Sequence, residues 1–151
     1  MYYVVMKALI QRVSEAGVTI EGEVTGKIGQ GILVFLGVTH TDTEKNVDQL
    51  VEKIVNLRIF VNEAGKLDRS LIDIKGSLLI VSQFTLYAST DKGRRPDFFD
   101  AARPDIAEPL YNKFVQKCRE KEIKTETGRF GAMMQVNLVN DGPVTLIIES
   151  A

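Results

Sequence analysis

Two hydroxyls, Ser82 and Thr85, sit in the run Ser82-Gln83-Phe84-Thr85-Leu86 and are the obvious nucleophile candidates in this chain of 151 residues. A hydroxyl needs a nearby base to take its proton. The sequence holds one histidine, His40, which follows a different apolar run, and a lone histidine is more often structural than catalytic. There is no Gly-x-Ser-x-Gly elbow. Asp68, Asp73, Asp91, Asp97 and Asp100 lie in polar stretches without metal-ligand spacing, so they read as solvated acids and no metal is expected. Gly29-Gln30-Gly31 lacks the lysine of a phosphate-binding loop and reads as a turn. What remains is a site poor in ionisable groups. Such a site can still cleave an activated ester by positioning it and offering backbone N–H groups to the developing oxyanion. It can also borrow a functional group from its substrate.

Two further stretches carry candidate contacts. Lys92-Gly93-Arg94-Arg95-Pro96 places three cations in four positions on a glycine-shaped loop. A charge run is usually a solvated surface, but this loop follows a polar strand end and suits phosphate. Asn140-Asp141-Gly142-Pro143 runs straight into the apolar segment Val144 to Ile148. Turn chemistry alone reads it as a hairpin turn. The sharper reading is a tip that touches a ligand, since glycine lets backbone approach closely.

The elements that position these groups follow from periodicity. Residues 2–13, 16–20, 24–28 and 32–38 read as strands, with Glu21-Gly22-Glu23 as a hairpin and 32–38 buried on both faces. Thr41 and Glu44 form a capping box for a helix with the stripe Val47, Leu50, Val51, Ile54 and Leu57. Residues 57–61 read as a strand and 67–74 as loop with an edge strand. Residues 77–87 are the strongest strand signal, with Ser82, Phe84 and Leu86 on one face and Gln83, Thr85 and Tyr87 on the other. A second helix follows Pro104, with Ile106, Leu110, Phe114 and Cys118 on its apolar side. Cys118 there is a buried hydrophobe, and Lys117, Arg119, Lys121 and Lys124 favour the helix end through its dipole. Short strands at 123–127, 132–139 and 144–149 complete the chain. The expected fold is one α+β domain over 1–151, a curved, barrel-like mixed sheet with two main helices packed outside.

Composition bounds the function. The chain is 44% hydrophobic and 26% charged, ordinary for a globular domain, and its net charge of −1 gives no global nucleic-acid footprint. Any polyanion must be held by a local patch. One cysteine excludes an internal disulfide framework and fits a reducing cytosol. The start has no signal-peptide pattern, and no apolar run approaches the ~20 residues of a membrane span.

Three stretches together, Ser82-Gln83-Phe84-Thr85-Leu86, Lys92-Gly93-Arg94-Arg95-Pro96 and Asn140-Asp141-Gly142-Pro143-Val144-Thr145, resemble the signature segments of the D-aminoacyl-tRNA deacylase family. Arg12-Val13, Asn56 to Phe60, Glu126 to Gly131 and Met134 fit the same pattern in order, from about Met6 to Ser150. Met1 to Val5 depart from it and read as a possible N-terminal extension. The resemblance implies a cytosolic homodimer, without cofactor, that hydrolyses the ester of D-amino acids mischarged on the 3′ end of tRNA and also accepts glycyl-tRNA. It implies a cis Gly142–Pro143 peptide whose carbonyls, from one subunit, face the α-amino group bound in the other and obstruct an L side chain. It places Ser82, Gln83 and Phe84 around the terminal adenosine and ester, Met134 near the adenine, and Lys92, Arg94 and Arg95 on acceptor-stem phosphates. The amide of Phe84 or Thr85 is the candidate oxyanion donor. Thr85 has two readings, nucleophile or bystander to a water assisted by the ribose 2′-OH, and the missing base favours the second.

Overall fold

The structure, a computed structural model, describes residues 4–151. The expected extension at 1–5, and the start of a strand at 2, fall mostly on residues outside that range.

One strand organises the sheet. β1 (Lys7–Ile20) is a single 14-residue strand, not the two separate segments its sequence suggests. β8 (Gln135–Glu149) pairs antiparallel with β1 along nearly its whole length. On the other side of β1, β3 (Gly31–Gly37) takes Lys7–Val13 and β2 (Glu23–Ile28) takes Ala16–Ile20, both antiparallel. β6 (Ser77–Ser82) and β7 (Thr125–Thr127) continue the sheet beyond β3 in parallel. The turn between β1 and β2 uses Glu21 and Gly22, both at positive φ.

The sheet rolls on itself. β2 comes so close to β7 that a Cβ on Gly26 would lie 2.7 Å from the Thr127 carbonyl oxygen. The roll gives strands two buried faces and hence two cores. Ile32, Val34, Leu36, Leu78 and Ile80 face the helices, while Leu33, Leu79 and Val81 face the interior of the roll with Val13, Val18 and Ile28. That double burial is why these strands read as unbroken apolar runs. The architecture is the expected one, a single α+β domain with a mixed, barrel-like sheet.

α1 (Glu44–Asn56) and α3 (Pro104–Glu120) are the two main helices. The cap of α1 is Thr43, not Thr41. Its backbone N–H donates to Asn46 Oδ1 at 2.8 Å, and its Oγ1 accepts from the Lys45 amide at 3.3 Å. Asp42 is engaged elsewhere, accepting from the amides of Thr39 (2.7 Å) and Met6 (3.0 Å), which closes a turn just ahead of the helix. Burial raises the Asp42 pKa even against those two bonds. The basic residues at the end of α3 do more than complement its dipole. Lys117 pairs with Glu44 and Asp48, and Lys121 with Glu52, across the α1–α3 seam. Exposed pairs of this kind add little stability each, but they fix how the helices face.

Besides β1 and the cap of α1, four elements differ from the sequence reading. The strand expected at 57–61 shrinks to β4 (Phe60–Val61), paired with β5 (Leu67–Arg69). A short helix α2 (Leu71–Ile74) follows where loop was expected, capped reciprocally by Ser70 and Asp73. β6 stops at Ser82 instead of running to Tyr87. The segments at 132–139 and 144–149 are halves of one strand, β8, so Asn140–Pro143 is not a hairpin turn.

Cys118 is fully buried, and desolvation pushes its thiol up to about 12. The thiolate is the reactive form, so native protein at pH 8 should resist alkylation by iodoacetamide, while urea-unfolded protein should label fully, as read by intact mass. Labelling of the native protein at the unfolded rate would contradict this burial.

Candidate active site

The site begins where β3 and β6 end side by side. The Gln83 amide donates to the Leu36 carbonyl at 2.8 Å, one last rung past β6. The chain then winds into a 3-10 turn over Phe84–Tyr87. Packing at Gly37 explains why the strand breaks there. Tyr87 fills the space beside Gly37, where a Cβ would lie 2.8 Å from its ring. The Tyr87 hydroxyl donates to the carbonyls of Gly37 (3.0 Å) and Val5 (2.6 Å). Tyr87 is therefore anchored inside, and Phe84 is turned outward, 56% exposed. The strand-face alternation expected for residues 82–87 does not exist.

A cavity of about 580 Å³ opens at this strand end, lined by Ser82, Gln83 and Phe84, by Phe98 and Ala102 from the loop before α3, and by Met134. Its size is that of a small-ligand site. Every described residue of its lining is apolar, aromatic, glycine, proline, serine or glutamine, so no ionisable side chain among the described residues lines it. Phe98 packs edge-on against Phe84, centroids 5.1 Å apart at 75°. Met134 is held by its neighbours. Its sulfur accepts from the Arg129 amide at 3.4 Å, and Gly128 leaves it room, since a Cβ there would lie 2.4 Å from the sulfur.

Thr85 lies beside this cavity rather than in its lining. Its hydroxyl oxygen accepts from the Gln83 side-chain amide. His40 Nε2 sits 2.5 Å from the Phe99 carbonyl, which only accepts, so that nitrogen carries the proton and donates. Among the described residues no hydrogen bond joins His40 to Ser82 or Thr85, and no group of His, Cys, Asp and Glu is arranged to hold a metal. His40 instead braces the pocket wall, together with Thr39 Oγ1 donating to the Asp100 carbonyl (2.5 Å) and the Ala102 amide donating to Val38 (2.9 Å). The loop carrying Lys92, Arg94 and Arg95 is closed at its base by the Ser89–Asp97 bridge. All three cations are exposed.

The Gly142–Pro143 tip is a bulge in β8. Gln11 pairs with Thr145 and Val13 with Asn140, so two steps along β1 face five along β8, and the extra residues bow outward. Asn140 ties the neck: its Oδ1 accepts from the Val144 amide at 2.8 Å and its Nδ2 donates to Thr145 Oγ1 at 2.9 Å. Arg12 pins the bulge from below, its Nε donating to the Asp141 carbonyl (2.7 Å) and its Nη1 to the Ile59 carbonyl (2.6 Å). The Gly142–Pro143 peptide is cis, and Gly142 sits at φ 149. Asp141, Gly142 and Pro143 are exposed, and none of them lines the cavity of their own chain.

The structure thus brings Ser82, Gln83, Phe84 and Met134 together, sets Thr85 just outside, and leaves the cationic loop and the tip apart from the pocket. Sequence reading missed Phe98, Phe130 and Met133 as lining residues and Arg12 as the tip's anchor. The available signals were an aromatic pair after the basic loop and a cation inside an apolar strand. Arg12→Ala removes two charge-assisted bonds, so it should cost about 1.5–3 kcal/mol in urea unfolding and speed amide exchange at Val144 and Thr145. Unchanged stability and exchange would show that Arg12 does not hold the bulge.

Residues 9–149 match the family described as D-Tyr-tRNA(Tyr) deacylase. A protein named D-aminoacyl-tRNA deacylase from Chloroflexus aurantiacus is 60% identical over 97% of this chain and 91% of its own. A solved structure titled c-Myc DNA Unwinding Element Binding Protein superposes with a TM-score of 0.90 at 45% identity, covering 96% of this chain and 99% of that one. A second, titled as a probable eukaryotic D-amino acid tRNA deacylase, shares the fold at a TM-score of 0.85 with 16% identity, over 97% of this chain and 100% of that one. With its pocket, its basic loop and its clamped bulge all on segments inside the matched span, the chain belongs to the D-Tyr-tRNA(Tyr) deacylase family.

Proposed function

We propose that the protein hydrolyses the ester of D-aminoacyl-tRNA, releasing a free D-amino acid and tRNA. The observation that carries this reading is a ligand-sized cavity with no ionisable side chain in its lining among the described residues, on a chain whose clamped, exposed backbone tip stands apart from it and lines nothing of its own. An aminoacyl ester is already activated, and the neighbouring ribose 2′-OH supplies the proton-handling group the pocket lacks. The first amides of the 3-10 turn, Phe84 and Thr85, have no acceptor within the turn by helix geometry. They serve as oxyanion donors, fixed before the reaction begins. Ser82, Gln83 and Phe84 hold the ester and terminal adenosine, with Met134 against the adenine, while Lys92, Arg94 and Arg95 meet acceptor-stem phosphates.

In this reading the active unit is a homodimer. Among the described residues β8 pairs on one side only, its bulge projects outward, and Val139, Leu146 and Ile147 are exposed. A second copy inserts its Gly142–Pro143 tip at the mouth of the pocket, where backbone carbonyls meet the α-amino group and an L side chain collides. Glycine has no side chain to collide, so glycyl-tRNA passes. A tRNA substrate places the protein in the cytoplasm. No helix among the described residues is long and apolar enough to cross a membrane.

Purified protein should release D-tyrosine and not L-tyrosine from charged tRNA, and equal rates on the two would sink the assignment. Thr85→Ala should keep kcat/KM within about tenfold of the parent. A fall of about 10⁴, the scale of losing a true nucleophile, would restore a covalent mechanism.

A further inference from the structure

A second cavity adjoins the first. It is a groove of about 710 Å³ between α3 and the Thr127–Phe130 segment, and Phe130 lines both spaces. The ring of Phe130 is propped at the junction by Tyr111, centroids 5.9 Å apart, and Tyr111 is itself tethered through its hydroxyl to the Ile80 carbonyl at 2.7 Å. Two guanidinium groups border the groove. Arg119 is oriented by donating to the Thr125 carbonyl at 3.0 and 3.3 Å. Arg129 is exposed on the same turn whose amide contacts Met134. Among the described residues neither arginine has a carboxylate partner, unlike Lys117 and Lys121 on the far side of α3. The helix side presents amide and carboxylate edges: Asn112, Gln116 and Glu108, with Gln116 donating to Glu120 at 3.1 Å.

Two cations without carboxylate partners, hydrogen-bonding edges suited to bases, and an aromatic ring between two cavities are what a single RNA strand requires. Glu108 fits this set, since a carboxylate accepts from the amino group of cytosine. A polyanion without bases would be repelled by Glu108 and Glu120. Resting on the function proposed above, we propose that this groove holds the unpaired nucleotides preceding the terminal adenosine, which enters the ester cavity past Phe130. The cationic loop at Lys92–Arg95 then serves the duplex stem and the groove serves the single-stranded end, so the two act on different parts of the substrate.

The test uses D-tyrosyl esters of adenosine, of the trinucleotide CCA and of full-length tRNA with the whole protein. Arg129→Ala, and separately Asn112→Asp, should raise KM about fivefold on the trinucleotide and on tRNA with kcat unchanged. Neither should alter KM on the adenosine ester, and Arg129→Lys should recover most of the loss. For Arg129→Ala the slope of log KM against log salt on the trinucleotide should fall by about 0.7, the value for one phosphate of a single strand. The Lys92/Arg94/Arg95 triple alanine should weaken tRNA and spare the trinucleotide. Parental KM on the trinucleotide, an equal loss on the adenosine ester, or a triple-alanine loss on the trinucleotide matching that of Arg129→Ala would each overturn the groove. Binding of a fluorescent CCA trinucleotide, read by polarisation, separates this from the activity itself: weaker binding by Arg129→Ala upholds the groove even if no ester is cleaved, and unchanged or absent binding overturns it.

Discussion

The pairing of β1 with three partners is the constraint on which the molecule depends. One strand cannot bond to β3, β2 and β8 unless it is long enough to be divided, and β1 gives its first half to β3 and its second to β2 while β8 follows it throughout. Dividing it bends it, and the bend brings β2 over β7 to close the roll. The closed roll buries the second face of β3 and β6, leaving their C-terminal ends as the place where the backbone emerges between two cores. The pocket sits at that mouth. The register that places Arg12 under Asp141 belongs to the same pairing, so pocket and tip share one source of geometry.

The site differs from most hydrolytic centres in what it omits. Catalysis by a side-chain base requires a titratable group desolvated near the reacting atom, with its pKa tuned to the working pH. Here the pKa values raised chiefly by burial belong to Asp42, Tyr111 and Cys118, each occupied in structure rather than aimed into the cavity. The polar side chains that line the cavity are those of Ser82 and Gln83. Gly37 matters to this arrangement though it lies outside the cavity lining, because the space it leaves seats Tyr87 and so ends the strand in the 3-10 turn over Phe84–Tyr87.

Much of this was legible in the residues, and the failures are specific. The apolar run at 32–38 announced a strand buried on both faces, the run opening 77–87 announced a strand, and the helical stripes of α1 and α3 were plain. The family resemblance rested on segments that the structure places at the strand end, the basic loop and the tip. The break after Ser82 was hidden because Phe84-Thr85-Leu86-Tyr87 has high strand propensity, and only a contact fifty residues away, with Gly37, overrides it. Asn140-Asp141-Gly142-Pro143 carries every local sign of a hairpin turn, yet both flanks pair with the same strand, a fact no local pattern holds. Thr41 and Glu44 matched a capping box, but Asp42 bonds to Met6 across the sequence and moves the cap two residues on. Phe130 is the turn residue its sequence suggests, but its place in the pocket wall left no local sign because its packing partner, Tyr111, lies on another element.

The bulge in β8 has a consequence unrelated to any ligand. A 15-residue strand with one edge unpaired among the described residues is a template for adding another chain, and then another, without end. Pro143 has no N–H to offer, and the outward bow at Asp141–Val144 interrupts the edge into two short lengths that cannot be matched by one straight strand. Open-ended growth into fibres is thereby obstructed at its midpoint. The same interruption would still allow a self-complementary meeting of two copies to close on itself, so the feature that projects from the sheet also limits how the edge can be extended.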